Sequence, residues 1–178
     1  MGSTGSSGGG AVELIATQTL AAPAAGIYLT GIPQTYKDLE LRVLARSTYA
    51  AVTDNLAIQF NADGSADYEY VYAPIASGTL SGATSSSVTY GYVGDVPAAS
   101  EAAGYFGSYD IEVPEYATVG LFKVYRSFGS ISVPSSNEPQ MYLSNGQWSK
   151  SDPITQLTVF TVSSDLSAGT TVSLYGRS

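Results

Sequence analysis

Hydrophobic and polar residues alternate with a period of two along most of the chain after residue 10. Leu39, Leu41 and Val43 alternate with Glu40 and Arg42, which places the apolar side chains on one face of an extended strand and the charged ones on the other. Further segments rich in Val, Ile, Thr, Tyr and Phe recur between turn-forming residues, which is typical of short strands. The predicted strands cover residues 12–19, 27–30, 39–45, 56–60, 68–73, 88–93, 109–113, 120–126, 130–133, 140–144, 154–162 and 171–175.

The segments between these strands carry turn signals and little helical pattern. Asp63-Gly64 supplies a turn suited to positive φ, and residues 77–87 form a long polar stretch without Lys, Arg, Asp or Glu, predicted to be a loop. Residues 98–103 are predicted to form one or two helical turns before Gly104. The pattern therefore predicts an all-β fold, a single antiparallel β-sandwich or jelly roll with very little helix.

A chain of 178 residues has the length of one domain. Residues 1–10 are predicted to be a flexible Gly/Ser-rich arm or the remnant of a tag, and residues 11–178 the β-sandwich domain. The first ten residues lack the basic and apolar regions of a signal peptide. No apolar run reaches the roughly 18 to 20 residues of a membrane span, so we expect no membrane partner.

The composition argues against most catalytic chemistries. The chain contains no histidine and no cysteine, which excludes a Ser-His-Asp triad, a thiolate nucleophile, disulfides and the usual zinc ligands. Tyrosine occurs 14 times and glycine 19 times, and tyrosine offers a wide, rigid contact surface. We therefore expect a binding or assembly protein with no enzymatic activity and no cofactor.

The charge pattern excludes a further class of partner. Charged residues are 12% of the chain and the net charge is -8, with seven basic residues dispersed along the sequence. Because nucleic-acid binding requires clustered Lys and Arg, we expect no nucleic-acid partner. A weakly ionic surface suits a protein packed against other subunits, so a symmetric oligomer is expected.

Two groups of acidic residues resemble reactive sites in composition. Oxygen ligands occur close together at Asn61, Asp63, Asp67 and Glu69, but their spacing does not match a calcium-binding EF-hand, and a solvated turn is the favoured interpretation.

The second group consists of Asp110, Glu112 and Glu115, which could supply the paired acids of a glycosidase. Alternation, however, places Asp110 and Glu112 on the same solvent-facing side of one strand, which favours a polar face. A serine nucleophile with Lys123 or Lys150 as base would need a buried lysine, and no Ser-x-x-Lys motif is present.

The tyrosines are the candidate binding residues. Several recur at period two and so share a face of one strand, and others flank a glycine-rich turn. If these faces point into the sandwich they are core, and if some point outward they form a contact surface for another subunit or a glycan. The candidate interface residues are Tyr68, Tyr70, Tyr72, Tyr90, Tyr92, Tyr105 and Tyr109. The one tryptophan, Trp148, is predicted to pack at the end of the sandwich.

An ordered set of short motifs runs from Glu13 to Gly176. It consists of Ile32-Pro33-Gln34-Thr35-Tyr36-Lys37-Asp38-Leu39, Leu41, Arg46-Ser47, Gln59-Phe60-Asn61, Tyr68, Ile111-Glu112-Val113-Pro114-Glu115-Tyr116-Ala117, Gly146-Gln147-Trp148, Ile154 and Leu174-Tyr175-Gly176. In this order and spacing the set resembles small virion-surface proteins of tailed bacteriophages, the head decoration, cement or fibre-type proteins. The resemblance implies a non-enzymatic β-sandwich that assembles, commonly as a trimer, on the outside of a virion.

Two functions remain open within that resemblance. The first is a structural protein on the outer capsid surface that binds the lattice of the major capsid protein and cements neighbouring subunits, with the Gly/Ser arm and apolar edges making the contacts. The second is a tail-fibre or receptor-binding module that recognises a host surface glycan with its tyrosines and the polar residues 77–87. The short chain lacks a long repetitive shaft, which favours the capsid. An enzyme such as a glycosidase is disfavoured.

Overall fold

Two antiparallel sheets packed face to face form the domain. The computed structural model describes residues 11–136 and 138–178, and these form an all-β fold. The predicted antiparallel β-sandwich is therefore confirmed. The arm or tag remnant predicted at residues 1–10 lies outside the described residues. In the part of the chain that is described, no helix has the length and apolar character needed to cross a membrane.

Thirteen strands and one short 3₁₀ helix, Pro134–Ser136, make up the described fold. The strands are β1 (Val12–Thr19), β2 (Ile27–Thr30), β3 (Asp38–Ala45), β4 (Thr53–Phe60), β5 (Tyr68–Ala76), β6 (Thr79–Leu80), β7 (Ala83–Val88), β8 (Gly91–Pro97), β9 (Gly107–Val113), β10 (Lys123–Val133), β11 (Glu138–Trp148), β12 (Gln156–Thr161) and β13 (Thr171–Arg177).

The two sheets differ in width. The large sheet has nine strands in the order β1-β13-β3-β9-β10-β11-β5, with both β6 and β7 pairing to the far side of β5, and the small sheet has four in the order β2-β12-β4-β8. Because the small sheet is narrower, it covers the inner face of the large sheet incompletely near β5. Within the described residues β1 and β2 are edge strands.

Alternation along the strands places the core between the sheets. In β10 every second residue is buried, among them Tyr125, Ile131 and Val133, while Val124 and Phe128 face outward. Buried and outward-facing residues alternate in the same way in β9 and β3. At about 25 cal/mol per Å² of apolar surface removed from water, this interior is the main source of stability.

The buried rings of Tyr109 and Tyr125 lie over glycines. Gly129 pairs directly with Tyr109 across β10 and β9, and Gly146 pairs with Tyr125 across β11 and β10. A Cβ on Gly146 would lie 2.5 Å from the Tyr125 hydroxyl oxygen, and one on Gly91 of the small sheet would lie 2.7 Å from the same ring. Each ring therefore occupies the volume that a side chain at the glycine would need.

Side-chain hydroxyls of the large sheet hydrogen-bond the backbone of β8, the edge strand of the small sheet. The hydroxyls of Tyr125 and Ser144 donate to the carbonyl of Tyr92, at 2.8 and 2.6 Å. Ser127 donates to the carbonyl of Val93 at 2.7 Å, and Tyr109 to that of Asp95 at 2.5 Å. These bonds satisfy carbonyls that a free sheet edge would leave unpaired and join the two sheets.

Several local predictions differ from the structure. The strand predicted at 88–93 spans the end of β7, a bend at 89–90 and the start of β8. In the turn after β4, positive φ occurs at Asn61 and Ala62 and not at Asp63-Gly64.

The loop predicted at 77–87 contains β6 and most of β7, whose backbones pair with β5. The strand predicted at 130–133 and residues 123–126 of the one predicted at 120–126 belong to the single strand β10, while residues 120–122 lie in the loop before it. Residues 98–103 are not helical, because the backbone N–H groups of Ala98, Ala99 and Ser100 bond to carbonyls in the 49–52 loop. In each case pairing with a distant segment decides the local conformation.

Candidate functional site

The seven candidate tyrosines occupy three environments. Tyr68, Tyr92 and Tyr109 are buried members of the core, so they belong to the interior and not to a contact surface. Tyr70, Tyr72 and Tyr90 are half-buried, and Tyr105 is exposed. The prediction that the tyrosines are core residues therefore applies to the three buried ones, and only the other four are available for contact with another molecule.

Four tyrosines form one aromatic cluster at the open side of the sandwich beside β5. The ring of Tyr70 lies 5.5 Å from that of Tyr92 and 6.4 Å from that of Tyr90, and the rings of Tyr72 and Tyr92 are 4.6 Å apart. Burial raises the pKa of Tyr90, so its hydroxyl stays protonated at neutral pH. The cluster contributes apolar packing more than reactive groups.

A carboxylate stands at the inner end of this cluster. The hydroxyls of Tyr92 and Tyr142 lie 2.8 and 2.9 Å from the two carboxylate oxygens of Asp95, and the Tyr142 hydroxyl is also 2.7 Å from Oε1 of Gln140. Desolvation raises the pKa of Asp95, and the nearby Asp54 raises it further. The hydrogen bonds from the two tyrosine hydroxyls act in the opposite direction and lower this pKa.

We expect Asp95→Asn to leave the protein at least as stable as the wild type at pH 7. The amide is neutral and accepts from Tyr92, while the Tyr142 hydroxyl accepts from the amide and donates to Gln140. Because the pKa of Asp95 is raised in the folded state, the stability that this group supplies is full at low pH and falls as the pH rises through that pKa. The advantage of the variant should therefore grow as the pH rises above about 4.

Urea unfolding of both proteins at a series of pH values measures this advantage, since the difference cancels the titration of the other carboxyls. Asp95→Ala is the matched control. It should reduce the free energy of unfolding by about 1 to 3 kcal/mol, because it removes the hydrogen-bond acceptor of two tyrosine hydroxyls. An advantage of Asp95→Asn that grows toward acid pH would contradict the assignment.

The oxygen-rich turn after β4 is held by hydrogen bonds within the protein. The Asn61 amide donates to the carbonyl of Pro153 at 2.9 Å and accepts from the Thr155 N–H at 2.8 Å. Asp63 accepts from the Trp148 indole N–H at 2.7 Å, and Asp67 pairs with Nζ of Lys150 at 2.7 Å. Among the described residues no group of three or more acidic side chains could hold a metal ion. The turn interpretation is the one that the geometry supports.

Two members of the second acidic group, Glu112 and Glu115, form ion pairs. Asp110 and Glu112 lie on the outer face of β9, as the alternation predicted. Glu112 accepts from Nε of Arg126 at 2.6 Å and lies 3.6 Å from Arg177. The Glu112 carboxylate is therefore engaged by two guanidiniums and, within the described part of the chain, does not face a second acid across a cleft, as the acid pair of a glycosidase would.

Lys123 is the buried lysine that a serine hydrolase would require, yet its ammonium is used elsewhere. Its Nζ donates to the carbonyls of Thr118 and Leu121, both in the loop between β9 and β10. Desolvation lowers its pKa, and Asp152 and Glu115 oppose that shift. The lysine therefore holds a loop. No described hydrogen bond joins it to a serine hydroxyl.

The outer face of the large sheet is apolar on one half and charged on the other. Across β5, β11, β10 and β9 it carries a groove of about 400 Å³, the outer groove. The apolar part of its lining is Val71, Ala73, Phe128 and Leu143, and its charged part is Asp110, Glu112 and Arg126. Leu143 lies directly across from both Ala73 and Phe128. On β9, β3 and β13 the same face carries ion pairs such as Arg42–Glu40. The apolar half is available for contact with another apolar surface.

A polar trough of about 480 Å³ adjoins the outer groove. It shares Val71 and Asn145 with that groove and is otherwise lined by Glu69, Tyr70, Thr84, Ser85, Ser86, Val124, Gly146 and Gln147. The residues of β7 that were predicted to belong to a polar loop thus line a surface depression beside Tyr70.

A third depression lies between the edge strands β1 and β2. This edge groove, of about 320 Å³, is lined by Ile15, Ala16, Thr17, Gln18, Tyr28, Leu29, Thr30, Ile32 and Leu174. Val12 and Leu14 of β1 and Tyr28 of β2 are more than half exposed beside it. Uncovered edge strands with exposed apolar side chains are sites where another chain can add.

Several of the motif residues that carry the phage resemblance meet at one end of the sandwich, whereas Arg46-Ser47 lie at the opposite end of β3. The Gln34 amide donates to the carbonyl of Ile154 at 2.9 Å, the Tyr116 hydroxyl donates to that of Pro33, and the Tyr36 ring covers Gly176. Trp148, the last residue of β11, packs nearby with its ring centroid 5.8 Å from that of Phe60. The motifs therefore stabilise the corners of the fold.

Sequence reasoning missed the exposed apolar residues of the outer groove. The signal was present in β10, where Val124 and Phe128 occupy the outward phase while Tyr125 and Ile131 occupy the inward one. Apolar residues at both the inward and the outward positions of one strand indicate that both of its faces make contacts.

No family model, curated protein or solved structure matches this chain.

Proposed function

We propose that this chain is a non-enzymatic structural protein of a phage virion that decorates and cements the outer capsid surface as an oligomer. The observation that carries the proposal is the edge formed by β1 and β2, which no other described residue covers, with Val12, Leu14 and Tyr28 exposed beside the edge groove. Such an edge gains both backbone pairing and apolar burial when a partner chain adds to it.

The position of this edge suits attachment to a lattice. Strand β1 follows the Gly/Ser tract 1–10 in the sequence, and in this proposal both contribute to the attachment. The edge carries few charges, because Glu13 is the one acidic or basic residue of β1 and none occurs in β2. Burial against a capsid subunit therefore requires little desolvation of charge.

Virion composition tests the proposal. Quantitative mass spectrometry of particles of the encoding phage should find this chain at a copy number of the same order as the major capsid protein. A handful of copies per particle would support the tail-fibre alternative, and absence from purified particles would contradict both.

The edge itself can be tested by adding purified protein to particles that lack it. Leu14→Lys places a charge on the exposed edge and should reduce the affinity for particles by about tenfold or more, a loss of at least about 1.4 kcal/mol. Val162→Lys is the matched control, since Val162 is also an exposed apolar residue but lies outside the edge groove. Equal retention of both variants would place the attachment elsewhere.

The polar trough favours the second candidate function, recognition of a host surface glycan. Amide and hydroxyl groups of Asn145, Gln147, Thr84 and Ser85 line it beside the Tyr70 ring, and these groups suit sugar hydroxyls and a sugar face. Binding on a glycan array that Gln147→Ala and Asn145→Ala abolish would support this function. Absence of any bound glycan would leave capsid decoration as the proposal.

A further inference from the structure

The loop that precedes β10 exposes a compact set of apolar side chains. Val119 is 74% exposed, Leu121 49% and Phe122 58%, and residues 116–122 contain no charged side chain. Large apolar side chains that follow one another in sequence at this exposure are unusual on a monomer surface. Loop 119–122 is therefore a candidate contact element.

The fold holds this loop in one conformation. The buried ammonium of Lys123 donates to the carbonyls of Thr118 and Leu121, and the Gly120 N–H bonds to the carbonyl of Ser151 at 3.1 Å. Burying an ammonium is costly unless it is hydrogen-bonded. The two carbonyls that accept from the Lys123 ammonium belong to the loop, so the lysine keeps the loop ordered. A loop that is ordered before binding loses less entropy on association.

The outer groove is the complementary surface on the same chain. Val71, Ala73, Phe128 and Leu143 line it, and Phe128 and Leu143 are each about half exposed. Phe128 lies five residues beyond Lys123 on β10, which is about 17 Å along an extended strand. Because loop 119–122 and the outer groove are both exposed in one copy, a copy does not fill its own groove.

We propose that loop 119–122 of one copy occupies the outer groove of a second copy. Leu121 and Phe122 carry no charge and contact the four apolar side chains of the groove, whose lining also includes Asp110 and the ion pair of Glu112 with Arg126. The contact joins two different patches, so its repetition closes a symmetric oligomer if the rotation between copies allows it. The inference rests on the proposed function in one respect, that the chain acts as an oligomer.

Cysteine cross-linking tests the contact with no background, because the chain contains no cysteine. The variant Phe122→Cys with Leu143→Cys should form disulfides between copies under mild oxidation and close into a covalent oligomer. Its mass should be a whole multiple of the 18.5 kDa chain, and three copies would agree with the expected trimer. A covalent dimer would support the contact and contradict the trimer.

The matched control combines Phe122→Cys with Leu44→Cys. Leu44 lies on the same outer face of the large sheet, but on β3 and away from the groove. Its side chain is 45% exposed, close to the 48% of Leu143. This pair and each single variant should remain monomeric on a non-reducing gel. Dimers from Phe122→Cys alone would show that the loops of two copies contact each other. Dimers from Leu143→Cys alone would show that two outer faces contact each other. Either result would overturn the proposal. Leu121→Cys with Phe128→Cys is the second pair if the first fails to fold.

A charge in the loop supplies an independent measurement. Phe122→Asp should raise the dissociation constant of the wild-type oligomer by roughly thirtyfold or more, as expected of a buried aromatic anchor. Wild-type protein that light scattering finds monomeric up to about 1 mM would overturn the inference. Virion copy number and edge-dependent retention would then still test the proposed function separately.

Discussion

Gly129→Ala is expected to destabilise the protein by about 3 kcal/mol, the upper end of what overpacking costs. A Cβ at this position would overlap with the Tyr109 ring and lie 2.5 Å from the Ser108 carbonyl oxygen. The ring cannot move away easily, because its hydroxyl is bonded to the carbonyl of Asp95 and Gly94 lies beside it on the small sheet. For a chain of this length the melting temperature should fall by roughly 6 to 12 °C.

Calorimetry or urea unfolding measures this loss, with Gly64→Ala as the matched control. At Gly64 a Cβ would meet one atom, Nε2 of Gln59 at 3.9 Å, and the backbone is not in the left-handed region. That variant should stay within about 0.5 kcal/mol of the wild type. Adding Tyr109→Leu to Gly129→Ala should cost less than the sum of the two single losses. Additive losses would show that the ring and the glycine do not share this space.

Trp148→Ala is expected to reduce the free energy of unfolding by about 3 to 5 kcal/mol. Trp148 is 2% exposed, its ring contacts those of Phe60 and Tyr68, and its indole N–H donates to Asp63. Truncation would therefore leave a cavity and free the turn that follows β4.

Trp148→Phe separates packing from hydrogen bonding. It keeps most of the ring volume but leaves an Asp63 carboxylate oxygen without the indole donor, so it should cost about 1 to 3 kcal/mol. Denaturant unfolding of both variants gives the comparison. Losses below about 1 kcal/mol for Trp148→Ala, with normal folding, would favour a ligand-binding role over the packing role.

Several elements of the fold could be predicted from the chain alone. The predicted strand at 27–30 coincides with β2, and the predicted strand at 12–19 with β1. Alternation also identified the outward side of β9, where Asp110 and Glu112 lie. These predictions succeed because an extended strand with one face buried records its environment in the period of its own residues.

The candidate binding residues were predicted less completely. Period two shows that Tyr68 and Tyr70 share a face, but it does not show how far the opposite sheet covers that face. The narrow small sheet buries Tyr68 and leaves Tyr70 half-buried beside β8. Phe122 and Leu143 were missed because isolated apolar residues in a loop or an outward phase do not reveal by sequence whether they are exposed.

By itself, the sequence determined the all-β class, most strand positions and the absence of histidine and cysteine chemistry, since these depend on composition and on the geometry of a single strand. Tertiary structure alone decided that Tyr109 and Tyr125 are core residues facing glycines, that residues 83–88 pair as a strand, and that Lys123 holds loop 119–122. Each of these depends on contacts between segments distant in sequence, whose pairing no local pattern encodes.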